Sequence, residues 1–228
     1  MQVANRVAKN TIILYVRLAI TMFVSLYSTR LVLEALGASD FGIFSVVAGM
    51  IAMLTFLNAA MTSASQRFMS FAHGEGNNQK QKAIFNVSVR LHLIIGLILI
   101  LVLEIVGYFF FNGILNIDPD RIDTAKYVYH FMVVSTFFTV ISVPYDAVIN
   151  ARENMLFVAI LGIIDAFIKL SIAFIITYTI YDKLLIYGAL MACLALIILI
   201  IRYLYCSVKY QEAKIISGSY YKNPLFKE

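Results

Sequence analysis

The stretch NTIILYVRLAITMFVSLYSTRLVLEALGASDFGIFSVVAGM, residues 10–50, decides the architecture of this chain. An apolar run from Asn10 to Glu34 is long enough to cross a hydrocarbon core of about 30 Å; it breaks at EALGASD (34–40) and then resumes. Backbone polar groups in lipid must be satisfied within their own segment, so each run reads as a helix and the short break as the turn of a helical hairpin. Gly37 is placed to take the left-handed conformation that ends the first helix, and Ser39 or Asp40 to cap the second.

Working outward, the pattern repeats. Apolar segments fall at about 10–34, 41–66, 84–111, 125–149, 153–180 and 184–206, divided by HGEGNNQKQK (73–82), NGILNIDPDRID (112–123), NARENM (150–155) and YDK (181–183) as well as the first break. This predicts an all-α, polytopic membrane bundle of six transmembrane helices over residues 1–208, followed by a polar linker or tail over 209–228. Composition agrees: 61% of the 228 residues are hydrophobic and 14% charged, with a mean hydropathy of +0.86. Soluble domains carry about 25% charged residues, and disorder needs low hydrophobicity, so both classes are excluded. A barrel would need short alternating strands, which are absent. Cys193 and Cys206 lie about 20 Å apart along one helix and cannot bridge within it.

Lys and Arg placement sets the expected sidedness. With the N-terminus in the cytoplasm, that side collects eleven (Arg6, Lys9, Arg67, Lys80, Lys82, Arg152, Arg202, Lys209, Lys214, Lys222, Lys227) and the other side three (Arg121, Lys126, Lys183). Both termini are therefore expected to be cytoplasmic. The net charge of +5 is scattered between apolar segments, so it reports topology and not a nucleic-acid surface. The basic N-terminus precedes a run that is too long for a signal segment and is broken by Arg17 and Arg30, so it is read as a retained helix.

Ionisable groups inside a span are costly, which makes each a candidate functional residue to be weighed against snorkelling or structural pairing. One face of the first helix carries Asn10, Arg17, Thr21, Ser25 and Ser28, a polar stripe that must face a helix contact or a watery cavity. The guanidinium fork of Arg17 suits phosphate. The fourth helix has a second stripe of Ser135, Thr139, Ser142, Asp146 and Asn150, with Pro144 opposite and expected to kink it. Asp146 either faces the cavity or reaches interfacial water, Arg67 or Arg152. Asp165 and Lys169 stand at i,i+4 near mid-span, where they can neutralise each other. Arg90 and Glu104 share a side of the third helix; Arg90 is near the end, and Glu104 is deep enough for a proton site. Arg30 and Glu34 read as a structural pair.

No phosphate loop, HExxH, CxxC, GxSxG or dinucleotide fingerprint occurs, and His92 and His130 have no partner at metal-ligand spacing. An enzyme, a metal site and a cofactor are therefore not expected, and a transporter is.

Residues 10–50 followed by FLNAAMTSASQRFMSF (56–71) resemble the first two helices of the oligosaccharide-lipid flippases. These form the polysaccharide-transporter branch of the superfamily that also holds the multidrug and toxin extrusion transporters. The matching positions include Tyr15, Arg17, Ser25, Arg30, Leu36, Gly37, Asp40, Gly42, Asn58, Gln66, Arg67 and Phe68. The resemblance implies transmembrane flipping of an undecaprenyl-pyrophosphate-linked oligosaccharide, by alternating access, for bacterial capsule, exopolysaccharide or O-antigen synthesis in the inner membrane. Under it, Arg17, Thr21, Ser25, Asn58, Arg67, Arg90, Ser142 and Lys169 line the substrate cavity, and Asp165, Asp146 or Glu104 couples an ion or proton. It also implies two six-helix bundles. This sequence holds one, ending in KNPLFKE, which resembles the linker before a seventh helix; a missing second bundle, or a second copy of a half-size subunit, would complete it. The alternatives are a cation-coupled drug exporter of the same superfamily and a noncatalytic membrane scaffold.

Overall fold

The computed structural model describes residues 2–52 and 55–214, with side chains described from Asn5 and, in the second stretch, from Ala60. The described residues form six helices and no strand: α1 (Gln2–Ala52), α2 (Thr55–Gly74), α3 (Asn78–Phe109), α4 (Ile122–Ala151), α5 (Met155–Tyr178) and α6 (Lys183–Lys209). Five of them, α1 and α3 to α6, are long and apolar enough to cross a membrane. The sixth expected span, 41–66, is shared between the second arm of α1 and α2, where Thr62, Ser63, Ser65, Gln66 and Arg67 lower the apolarity. Large apolar side chains such as Phe23, Leu97, Leu101 and Ile105 are exposed on α1 and α3, as expected of helices that meet lipid.

Helix α1 is two arms joined at Gly37, whose φ of 76° and ψ of 170° interrupt the helical backbone. The sign of φ is the expected one, but ψ is extended, a combination essentially confined to glycine. Arg6 reaches Glu153 at 3.0 Å, and Val32 clusters with Ala173 and Ile176, so the first arm runs parallel to α5. Beyond Gly37, Ile43 clusters with Ala125, Val128 and Leu184, and then Val47 and Ile51 with Leu103, Tyr129 and Val133. The second arm therefore runs back along α4. Helix α4 is the most buried of the spans and continues as one helix through Pro144.

Each end of the bundle is tied by polar groups. At the Gly37 end, Arg121 forks between two carboxylates: Nε donates to Asp40 at 2.9 Å and Nη1 to Asp182 at 2.7 Å. Asp182 also accepts from Thr124 Oγ1 and from the backbone N–H groups of Leu184 and Leu185, each at 3.1 Å, and so caps α6. This staple joins the turn of α1 to the starts of α4 and α6. Asp40, a candidate cap in the sequence, instead gives its carboxylate to Arg121. At the opposite end, Asn154 Nδ2 donates to the hydroxyls of Tyr205 (2.5 Å) and Tyr210 (2.9 Å), and Phe157 stacks on Tyr205 with centroids 3.6 Å apart. The residues just after α6 pack into the bundle: Tyr210 and Ala213 join the cluster of Met69, Phe85, Tyr145 and Cys206, and Asn86 Nδ2 donates to the Lys214 carbonyl at 3.3 Å.

Two outcomes are expected. An alanine at Gly37 meets no atom within 4 Å, so its whole cost is backbone strain of about 1–3 kcal/mol, readable as a lowered unfolding midpoint in detergent. Burial works to raise the pKa of Asp182, but the hydrogen bond from Arg121 and those of Leu185 and Thr124 prevail and hold it below the ordinary value. A depressed carboxylate contributes stability above its unfolded pKa of about 3.9 and loses it as pH falls through the folded value. Asp182→Asn is therefore expected to lower the unfolding midpoint at pH 7, and the gap to wild type should narrow as the pH falls below about 4.

Candidate functional site

Helices α4, α5 and α6, with Arg17 of the first arm of α1, Phe44 and Ile51 of the second, Met61 of α2 and Leu99 of α3, line a cavity of about 440 Å³. Its polar lining comes from one face of α4 (Ser135, Thr136, Thr139, Ser142, Asp146), one side of α5 (Asp165, Lys169), Arg17 of α1 and Arg202 of α6. The remainder is apolar, including Met132, Phe157, Leu161 and Leu194. These positions recur every three or four residues on α4 because that spacing returns to the same helical face.

The described cavity charges are sorted into pairs with one remainder. Lys169 Nζ donates to Asp165 Oδ2 at 2.7 Å within α5. Arg202 Nε lies 2.9 Å from Asp146 Oδ1, out of line for a hydrogen bond, while its Nη1 donates to Ser142 Oγ at 2.8 Å. Ser142 Oγ in turn donates a hydrogen bond to the Thr139 carbonyl at 2.8 Å. Both carboxylates are thus answered by a cation. Arg17, half-buried, forms no ion pair or side-chain hydrogen bond among the described residues. Its guanidinium instead lies against the bare backbone of Gly162 on α5, where a Cβ would stand 2.8 Å from both Cζ and Nη2. Three cations against two carboxylates leave the described lining with one net positive charge; Arg17 makes no ion-pair contact, although its charge also acts on Asp146.

The structure brings together Arg17, Ser142, Asp146, Asp165 and Lys169 of the candidates read from sequence. The other described candidates stand outside the cavity lining. Thr21 Oγ1 donates back to the Arg17 carbonyl at 2.9 Å, and Ser25 lies about 80° further round α1 than Arg17 and is exposed. Arg67 on α2 and Arg90 on α3 are exposed. Glu104 packs on the other side of α4, with Oε1 3.0 Å from His130 Nδ1. The side chain of Asn58 lies outside the described residues. Arg202 was legible only as an ionisable residue near the end of an apolar run, which reads as an end-of-span charge; its turn back into the cavity follows from its place opposite Ser142 and Asp146. Gly162 carries no signal in the sequence.

A net-cationic cavity with one polar wall inside a membrane bundle suits a transporter, and comparison with protein families agrees: the MatE family model matches residues 14–175. The chain belongs to the MatE family. It is a multi-pass membrane transporter of that family and not an enzyme. No curated protein and no solved structure matches it. The MatE match begins three residues before Arg17 and runs through most of α5, so it takes in every charged residue of the cavity except Arg202.

For this MatE chain, Gly162→Ala displaces the Arg17 guanidinium while leaving its charge and the fold's ion pairs in place. The expected outcome is a transport defect approaching that of Arg17→Ala, with an unfolding midpoint close to wild type. Substrate transport in vesicles and thermal unfolding, measured on the same preparation, check it.

Proposed function

We propose that this chain is one bundle of a flippase that carries a lipid-linked oligosaccharide, held through its pyrophosphate, from the cytoplasmic to the outer leaflet of a bacterial inner membrane. The observation that carries the reading is Arg17, which makes no ion-pair contact or side-chain hydrogen bond among the described residues in a cavity whose two carboxylates each contact another cation. Such a lining disfavours a free cation and offers an anion a planar fork of donors. The hydroxyls of Ser135, Thr136 and Thr139 on the facing helix, with Ser142, suit a polyhydroxylated glycan, while the prenyl chain stays in lipid. In this reading both termini are cytoplasmic, a second six-helix bundle or a second copy completes the cavity, and rocking between two states follows from unequal binding to them. Asp146 and Asp165 supply the coupling step by exchanging their cations for a proton or ion.

A second reading, export of cationic drugs, draws on the same two carboxylates, and it requires at least one of them to be released from Arg202 or Lys169. The two readings separate in one experiment with the full-length protein in vesicles. Arg17→Ala is expected to slow flipping of a fluorescent undecaprenyl-pyrophosphate oligosaccharide about tenfold or more, the equivalent of losing a charge-assisted hydrogen bond of about 1.5–3 kcal/mol. Arg17→Lys, which keeps the charge without the fork, should retain part of the rate. Flipping at the wild-type rate by a normally expressed Arg17→Ala protein would sink the proposal; uptake of a cationic dye that depends on Asp146 would favour the second reading.

A further inference from the structure

We propose that a second site, at the Asn154 end of the bundle and separate from the central cavity, holds the phosphate of an anionic lipid headgroup. The site is a cleft of about 580 Å³ between the first turns of α3, the end of α4 and the segment that follows α6. It shares no lining residue with the central cavity. Its charged residues are Lys82, Arg152, Lys209 and Glu212, so three cations face one carboxylate.

The single acid is already committed. Glu212 is 5% exposed and accepts from Arg152 Nε at 2.7 Å, while the Arg152 guanidinium sits 5.8 Å from the centroid of the Tyr210 ring and Gln81 Oε1 accepts from Nη2 at 3.4 Å. These contacts fix Arg152 and Glu212 as a neutral wall. Lys209 is exposed and steadied by the Tyr205 hydroxyl at 2.9 Å. Lys82 is half-buried and has no ion-pair partner among the described residues. Two ammonium groups with no acid of their own therefore line one concave surface beside the amides of Asn78, Gln79 and Gln211. Each ammonium acts as a point charge with several donors, a set that phosphate satisfies.

The place of the cleft selects the source of that phosphate. Lys209 ends α6, and the residues before it on the same helix, Ile200, Leu204 and Val208, are exposed and apolar, with Val208 88% exposed. An amphipathic ligand lays its acyl chain along that strip and its headgroup against the lysines, whereas free phosphate uses only the lysines. Basic clefts at the ends of membrane helices bind anionic headgroups on these terms. The inference does not depend on the flippase reading, because it uses none of the residues of the central cavity.

The test is native mass spectrometry of the purified full-length protein carrying phosphatidylglycerol or phosphatidylcholine. For Lys82→Gln/Lys209→Gln, retention of phosphatidylglycerol is expected to weaken roughly tenfold, with phosphatidylcholine unchanged; Lys209→Gln alone, at an exposed position, should weaken it about threefold with an unfolding midpoint close to wild type. A control that removes two lysines elsewhere, Lys9→Gln/Lys126→Gln, should leave retention intact. Wild-type retention by the double variant, or an equal loss in the control, would overturn the site. If inorganic phosphate alone raised the unfolding midpoint of the wild type but not of the double variant, with no preference for phosphatidylglycerol, the lipid assignment would fall.

Discussion

A charge carried into a membrane-spanning bundle has to be answered there, since water is scarce and the penalty for an isolated ion is severe. The central cavity of this protein is organised by that constraint. Asp165 is answered from its own helix by Lys169, four residues on, and Asp146 is answered from α6 by Arg202. The second pair ties α4 to α6 across the cavity, and Arg17 is left without an ion-pair contact among the described residues.

The cradle for Arg17 shows how packing and electrostatics depend on each other. The first arm of α1 runs parallel to α5, which lets the guanidinium lie over Gly162 where a larger residue would push it away. The parallel course is possible because Gly37 reverses the chain at one end and the Arg121 staple holds that turn against α4 and α6. A glycine and an ion cluster outside the cavity therefore keep the cavity's free cation in position. The opposite end is held by different chemistry, the Asn154 and Tyr205 contacts together with the Arg152–Glu212 pair, and this brings the residues after α6 into the bundle's packed core.

The cavity lining is chemically uneven. Hydroxyls line one wall, apolar side chains much of the rest, and the one unanswered charge is positive. The chain shares the transport role of the MatE family, and both carboxylates of its cavity are in contact with cations. The basic cleft at the far end is built similarly: an internal Arg152–Glu212 pair forms one wall, and Lys82 and Lys209 line it without an ion-pair partner among the described residues.

Much of this was legible in the amino-acid sequence. Hydropathy alone determines an all-helical membrane bundle, because lipid leaves the backbone no other way to satisfy its hydrogen bonds. Helical periodicity puts Ser135, Thr139, Ser142 and Asp146 on one face, and i,i+4 spacing pairs Asp165 with Lys169, since both follow from the geometry of a single helix. What a single helix cannot encode was decided by the tertiary structure: that Arg202 turns inward to Asp146, that Glu104 faces His130 and not the cavity, that Ser25 falls outside it, and that Gly162 lies under Arg17. Each of these depends on which face of one helix meets which face of another. Residues far apart in the chain meet only after packing has set the rotation and depth of every helix, and no local pattern records that choice.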